Sequence, residues 1–305
     1  MMTDIKNYET FVKIEPINKG WSSDKKYCVE TSDGRRLFLR VSDISEYDRK
    51  KAEYEMMERV YNLGILTPEP VEFGLCSEGK NVYSLSGWLD GENAETVLTG
   101  MGGAEQYSLG GKSGELLRKI HSIPAPENEE GWGIRFRRRI KDRTDVYKSY
   151  KIKLQDDKLI MQYVHDNSEF LDSRPQTLIH GDFWVGNIFV DLNGEVGVID
   201  LSAYNLGYGD PYQELGDIMP HEENSDCSYF LTGLLNGYFG GEPPHEFFKI
   251  LTYYHAFNAL ANLGQIAESD GDERVSHMKH LENTMRWFDN FQNPVPTWYR
   301  KAFHV

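Results

Sequence analysis

Asp182, Asn187 and Asp200 have the identities and spacing of a phosphoryl-transfer centre: an acid, an amide five residues on, and a second acid thirteen beyond that. Within His180-Gly181-Asp182, the Asp182 carboxylate can orient a hydroxyl nucleophile and accept its proton. Asn187 and Asp200 offer hard oxygen ligands to magnesium, the ion that bridges nucleotide phosphates. A hairpin with polar residues at its turn would explain Asn193-Gly194 alone. It would not explain three such groups at the ends of apolar strands.

The flanking residues supply the elements that must hold these groups. Thr177 to Ile179 and Ile188 to Val190 are short apolar runs of strand character. Asn193-Gly194 is a hairpin turn, and Val196 to Ile199 is the returning antiparallel strand. Such a hairpin places Asn187 and Asp200 at one end, close enough to share a cation.

His180-Gly181-Asp182-Phe183-Trp184-Val185-Gly186-Asn187 resembles the H-G-D-x-x-x-x-N catalytic loop of the aminoglycoside phosphotransferase and choline kinase superfamily. Ile199-Asp200-Leu201 is similar to the metal-binding segment of the same superfamily. The resemblance implies an α+β, bilobal protein-kinase-like fold with a small antiparallel-sheet N-lobe and a mainly helical C-lobe, divided at about 1–89 and 90–305. It further implies Asp182 as catalytic acid/base, Asn187 and Asp200 as magnesium ligands, and ATP or GTP as phosphoryl donor. His180, Asp210 and Glu214 take supporting roles. Gly209-Asp210-Pro211-Tyr212-Gln213-Glu214-Leu215 carries Glu214 where the family usually has Asp, an acid that ties down the catalytic loop. Ser202 to Tyr208 is about two residues longer than is common there.

Upstream, the pattern predicts strands over Lys13–Ile17, Lys25–Thr31, Arg36–Val41, Pro70–Leu75 and Asn81–Ser86. It predicts one helix, Arg49–Leu63, with Tyr54, Met57 and Tyr61 on its apolar face. Five strands and one helix suit the nucleotide lobe of a kinase. In that setting Gly20, Ser22 and Ser23 form a loop able to cover phosphates. Arg40 stands where kinases keep the phosphate-binding lysine, and arginine can grip phosphate bidentately. Glu53 is the helix acid expected to anchor it, Glu55 pointing elsewhere. Ser86, Gly87, Trp88 and Leu89 are the expected hinge for adenine. Gly110-Gly111-Lys112-Ser113 mimics a phosphate-binding loop, but Gln106 replaces its first glycine and no strand precedes it.

Composition narrows the remaining choices. The net charge is −15, with 13 Lys and Arg against 15 Asp and Glu in residues 1–89, and 20 against 33 in residues 90–305. That sign argues against a nucleic-acid partner, and no apolar run reaches the ~20 residues of a membrane span. Cys28, Cys76 and Cys227 lie far apart, which points to a reducing, cytoplasmic setting. His277-x-x-His280 lacks a cysteine or acid partner at zinc spacing and reads as helix surface. Arg135 to Arg143 reads as a solvated helix face, with an anion contact as the alternative.

Helices are expected over Ala104–His121, His245–Ala267 and Val275–Phe291. An acidic C-lobe would steer a polycationic acceptor, so an aminoglycoside-type antibiotic is the first expectation for the phosphate acceptor. Trp184, Glu222, Glu223, Asp226, Glu268, Asp270, Asp272 and Glu273 are the candidate contacts. Trp184 beside Asp182 also matches fructosamine kinases. Tyr253, Tyr254 and Trp287 with Trp184 could cage choline. Macrolides, and a pseudokinase that binds nucleotide without turnover, are the other readings.

Overall fold

The computed structural model describes residues 3–18, 23–201, 207–218 and 227–300. The chain divides into two compact units, Met1–Val97 with His180–Gly207, and Leu98–Ile179 with Tyr208–Val305. Among the described residues no helix is long and apolar enough to cross a membrane.

In the first unit β1 (Phe11–Pro16), β2 (Lys25–Thr31), β3 (Arg36–Asp43), β4 (Pro70–Cys76) and β5 (Asn81–Gly87) form an antiparallel sheet in the order β1-β2-β3-β5-β4. Alternation on β3 buries Leu37, Leu39 and Val41, which cluster with Ile5, Val29, Cys76, Tyr83 and Leu85. Each buried side chain of this size contributes about 2 kcal/mol. Helix α1 (Tyr47–Asn62) follows β3, and Tyr47 and Tyr54 set their rings against Phe73 of β4. Its phase differs from the expected one. Tyr61 is 41% exposed, while Met56 and Val60 are buried together with Lys50. Met56 and Val60 lie one turn apart and set the inward stripe, whereas Lys50 lies on another side of the helix and is buried against Asp24 and Glu53.

The same unit holds β6 (Gly91–Asn93), which pairs with β8 (Ile188–Asp191), and β8 pairs in turn with β9 (Val196–Val198). The β8–β9 turn is pinned by Asp191, whose Oδ1 accepts from the Asn193 and Glu195 amides at 2.8 Å each. In this register Ile188 faces Val198. The Ile199 amide donates to the Asn187 carbonyl at 3.0 Å, so Asn187 and Asp200 flank the same end of the hairpin.

Helices dominate the second unit. After α2 (Ala94–Leu98), which closes the first stretch of the first unit, the second unit's helices among the described residues are α3 (Gly103–Ile120), α4 (Trp132–Ser149), α5 (Asp157–Asp166), α6 (Pro211–Asp217), α7 (Ser228–Phe239), α8 (His245–Glu268) and α9 (Gly271–Trp287). Strand β7 (Thr177–Leu178) pairs with β10 (Tyr208–Gly209). The Gly110-Gly111 segment lies inside α3, where Gly110 serves helix packing. A Cβ on Gly110 or Gly114 would lie 2.0 Å from the Phe230 or Leu234 carbonyl oxygen of α7. A Cβ on Gly233 or Gly237 of α7 would stand as close to the Tyr107 or Gly111 carbonyl oxygen, at 2.1 Å.

Helix α8 is buried on almost every side, and His255 lies within it, fully enclosed against Phe288. Neither ring nitrogen of His255 has a hydrogen-bond partner. Burial, with the nearby His280 adding to it, pushes its pKa down to about 3. An unfolded chain takes up this proton below about pH 6.5, and the folded chain does so only near the depressed value. The stabilising difference is therefore present above about pH 6.5 and lost as pH falls towards 3. Acidification to pH 4 should cost on the order of 3 kcal/mol through this group alone. His255→Leu should lose less stability than the parent between pH 7 and pH 4 in denaturant titrations. Equal losses would show that His255 is not the acid-sensitive group.

Candidate active site

The loop from His180 to Asn187 is organised by its own side chains. His180 is buried, its Nε2 donating to the Ile199 carbonyl at 3.0 Å and its Nδ1 accepting from the Asp182 amide at 3.3 Å. A carbonyl can only accept, so the first contact places the ring proton on Nε2. The histidine thereby ties the loop to the end of β9. Asn187 closes the loop from its other end, its Nδ2 donating to the Asp182 carbonyl at 2.9 Å and to Asp182 Oδ2 at 2.7 Å. The Asp182 carboxylate is thus held by one oxygen and keeps its second available. Trp184 folds its indole over Gly186, where a Cβ would stand 2.3 Å from the ring. The glycine is required by that contact.

Asp200 follows β9 with a φ of 56°, in the left-handed region that aspartate enters more readily than most residues. Its Oδ1 accepts from Arg40 Nη2 at 2.6 Å, and its side chain is 52% exposed. Because the Asn187 amide nitrogen is committed to Asp182, its Oδ1 is the atom left for a ligand. Among the described residues no three His, Cys, Asp or Glu side chains gather as a metal site. One amide oxygen and one carboxylate fit magnesium, which keeps several waters and takes substrate phosphates to complete its shell.

The ion pair expected between Arg40 and Glu53 does not form. Glu53 is engaged by its own helix, with Arg49 at 2.8 Å and Lys50 at 3.1 Å. Arg40 instead faces Asp24, with Nε 3.9 Å from Asp24 Oδ2, and it reaches Asp200 with its other end. Asp24 also accepts from Lys50 Nζ and from Ser42 Oγ, at 2.7 Å each. Burial works to raise the Asp24 carboxyl, but the Lys50 and Ser42 hydrogen bonds and the charges of Lys50 and Arg40 together hold the group below the usual carboxylate range. The physical reason for the exchange is helical spacing. Lys50 and Arg49 stand three and four residues from Glu53 on the same helix, so they reach it at no cost in chain closure. Sequence reasoning missed Asp24 and Lys50. The one usable signal was Lys50 falling on the Glu53 face of α1.

Other expected site residues are placed as follows. Gly20 and Ser22 of the phosphate loop lie outside the described residues, as do Glu222, Glu223 and Asp226 and most of Ser202 to Tyr208. Ser23 is described and precedes Asp24 at the entry to β2. Ser86 pairs with Phe38 across the sheet. The Gly87 and Trp88 amides are committed to the Glu69 and Arg36 carbonyls at 2.8 and 3.1 Å. Among the described residues the Leu89 amide makes no backbone hydrogen bond.

In the second unit Asp210 is fully buried, N-caps α6 through the Tyr212 amide, and holds Arg174 with both oxygens at 2.6 and 2.8 Å. Glu214 Oε2 meets His121 Nε2 at 2.8 Å. Glu268 accepts from the Tyr150 hydroxyl. Asp270 precedes α9, and Asp272 and Glu273 lie in its first turn, where the helix dipole favours acids. The arginines of the basic segment are largely matched, Arg135 with Glu129 at 2.6 Å and Arg138 with Glu130 at 2.8 Å, and Arg137 with Asp172. Tyr253 and Tyr254 are 0% and 1% exposed in the core of this unit, so the aromatic cage suggested for choline is not assembled from them.

The profile of the phosphotransferase enzyme family (APH) matches residues 13–248. No curated protein matches the chain. Among solved structures, the streptomycin–ATP ternary complex of APH(2")-IIa superposes with a TM-score of 0.62 at 16% identity, covering 92% of this chain and 96% of that one. The amicoumacin kinase hAmiN, in complex with AMP-PNP, Ca2+ and Ami, gives 0.58 at 14% identity, with 92% and 90% covered. Macrolide 2'-phosphotransferase MphH from Brachybacterium faecium gives 0.58 at 15%, with 88% and 92% covered. The likeness of these structures is one of fold: an antiparallel-sheet N-terminal lobe and a mainly helical remainder. With the family profile spanning most of the chain and including the His180–Asn187 loop, the chain belongs to the phosphotransferase enzyme family and is an ATP-dependent phosphotransferase that acts on a hydroxyl group.

Proposed function

We propose that this small-molecule kinase phosphorylates an aminoglycoside-type acceptor, with residues 1–89 as nucleotide lobe and 90–305 as catalytic and acceptor side. The observation that carries the acceptor class is charge: 33 acids against 20 bases in residues 90–305. Asp182 orients the acceptor hydroxyl and accepts its proton, with Asn187 fixing the carboxylate. Asn187 Oδ1 and the Asp200 carboxylate would hold magnesium, which would neutralise phosphate charge there. Arg40 grips the phosphates, and its contact with Asp200 keeps that cation beside the phosphate site. Ser23, with Gly20 and Ser22, covers the phosphates, and the Leu89 amide within Ser86–Leu89 meets the base. His180 and Asn187 hold the loop at its two ends, so the protein contributes position and charge more than covalent chemistry. Asp210 and Glu214 support the second unit's framework through Arg174 and His121.

The test is a screen of phosphate transfer from ATP and GTP to aminoglycosides, macrolides, choline and fructosamines. Turnover is expected with a polycationic aminoglycoside. Its KM should rise several-fold between ~0.05 and ~0.3 M salt, because exposed charges are screened over a Debye length of about 8 Å at physiological ionic strength. Neutralising Glu268, Asp270, Asp272 and Glu273 together should mimic high salt, raising acceptor KM with little change in kcat. A neutral acceptor, or a KM indifferent to salt, would remove the aminoglycoside reading. Trp184 beside Asp182, by which the loop resembles that of fructosamine kinases, makes a fructosamine the second reading.

A further inference from the structure

Three elements of the first unit meet at one buried carboxylate. Asp24 immediately precedes β2, Ser42 lies on β3 and Lys50 on α1. The Asp24 side chain is 4% exposed and the Lys50 side chain 6%, so the pair is withdrawn from water. Burying two such charges is costly unless they meet in good geometry with their remaining valences filled. Here Lys50 Nζ satisfies Asp24 Oδ2 at 2.7 Å and Glu53 Oε2 at 3.1 Å, while Ser42 Oγ satisfies Asp24 Oδ1 at 2.7 Å. Simple stabilisation is a poor reason for this arrangement, since well-packed apolar residues commonly do as well.

Among the described residues the charged neighbour left incompletely satisfied is Arg40. Its Nε is buried without a hydrogen-bond partner, 3.9 Å from Asp24 Oδ2, which is too long for a hydrogen bond but close enough for attraction. Its Nη2 end extends to the exposed Asp200. One end of the guanidinium is thus drawn to a fixed interior anion, and the other is presented at the site.

We propose that Asp24 and Lys50 are positioning residues that aim Arg40 at the nucleotide phosphates, in place of a direct Arg40–Glu53 pair. The inference rests on the reading of Arg40 as the phosphate-gripping cation. Asp24 supplies the anion, Lys50 fixes that anion and passes the connection to Glu53, and the helix acid acts on the arginine at one remove. Lys50 is itself spent on two carboxylates, so Arg40 is the cation free to exchange Asp200 for a phosphate.

The experiment is calorimetric binding of ATP and of adenosine to the full chain, with no acceptor present. Arg40→Ala tests the parent reading. It should weaken ATP by ~10–100-fold, the worth of a charge-assisted contact, and leave adenosine unchanged. If both ligands bind Arg40→Ala as they bind the parent, the reading of Arg40 falls, whatever Asp24 does. Given an Arg40 effect, Asp24→Asn should weaken ATP roughly tenfold with adenosine unchanged. On the Arg40→Ala background the same change should add almost nothing, because it acts through the arginine. Lys50→Arg should keep ATP affinity and Lys50→Met should lose it.

A single replacement leaves a buried charge unpaired, and the chain can then fail to fold. The Asp24→Asn/Lys50→Met double variant removes both charges and serves instead. A positioning role predicts ATP weakened and adenosine spared in this variant as well. Equal weakening of ATP and adenosine, or an Asp24→Asn effect undiminished without Arg40, would make the cluster structural only and overturn the proposal.

Discussion

Asp182→Asn should lower kcat by ~10³-fold or more while ATP affinity changes less than about threefold. The replacement is nearly isosteric, and an amide oxygen can still accept from Asn187 Nδ2, which reaches Asp182 at 2.7 Å in the parent. Loop geometry is therefore preserved, held also by His180 between the Asp182 amide and the Ile199 carbonyl. What disappears is the ability to accept the acceptor's proton. Nucleotide binding is spared because the ATP contacts assigned above belong to other residues. Asp200→Ala provides the contrast, since it should weaken magnesium-dependent ATP binding as well as turnover. Single-turnover kinetics with ATP titration would separate the two. A kcat loss of only a few-fold in Asp182→Asn would remove it as the catalytic base.

Gly110→Val should abolish folding, or cost more than about 4 kcal/mol where folded protein is recovered. The Cβ it introduces would stand 2.0 Å from the Phe230 carbonyl oxygen and 2.9 Å from the Leu234 amide, both backbone atoms that cannot swing aside. Helices α3 and α7 would have to separate along their whole contact, opening the packing around Leu109, Leu116 and Leu234. Gly111 is the internal control. Its Cβ would meet nothing closer than the Gly233 carbonyl oxygen at 3.9 Å, so Gly111→Ala should be tolerated and gain up to about 1 kcal/mol of helix propensity. Thermal melts of Gly110→Ala, Gly110→Val and Gly111→Ala would settle the matter. A Gly110→Ala protein as stable as the parent would contradict the close helix approach.

The residues that sequence alone placed together are those whose proximity is local. His180 to Asp200 spans one loop and one tight hairpin, so strand alternation and the Asn193-Gly194 turn bring Asn187 to Asp200 without long-range information. The five strands of the first sheet lie within two residues of their expected limits, and period-two burial is plain on β3. Tertiary structure alone decided which charge meets which. Arg40 had several acids within plausible reach. Asp24, 16 residues away in sequence, meets it because β2 and β3 pair, Lys26 standing opposite Arg40. Glu53 was taken by Lys50 and Arg49, which share its helix face. The burial of Tyr253, Tyr254 and His255 and the glycine contact between α3 and α7 were equally out of reach. Sequence periodicity reports which faces are apolar. Only packing determines what each face is pressed against, and the energy of a charge or a missing Cβ depends on that neighbour.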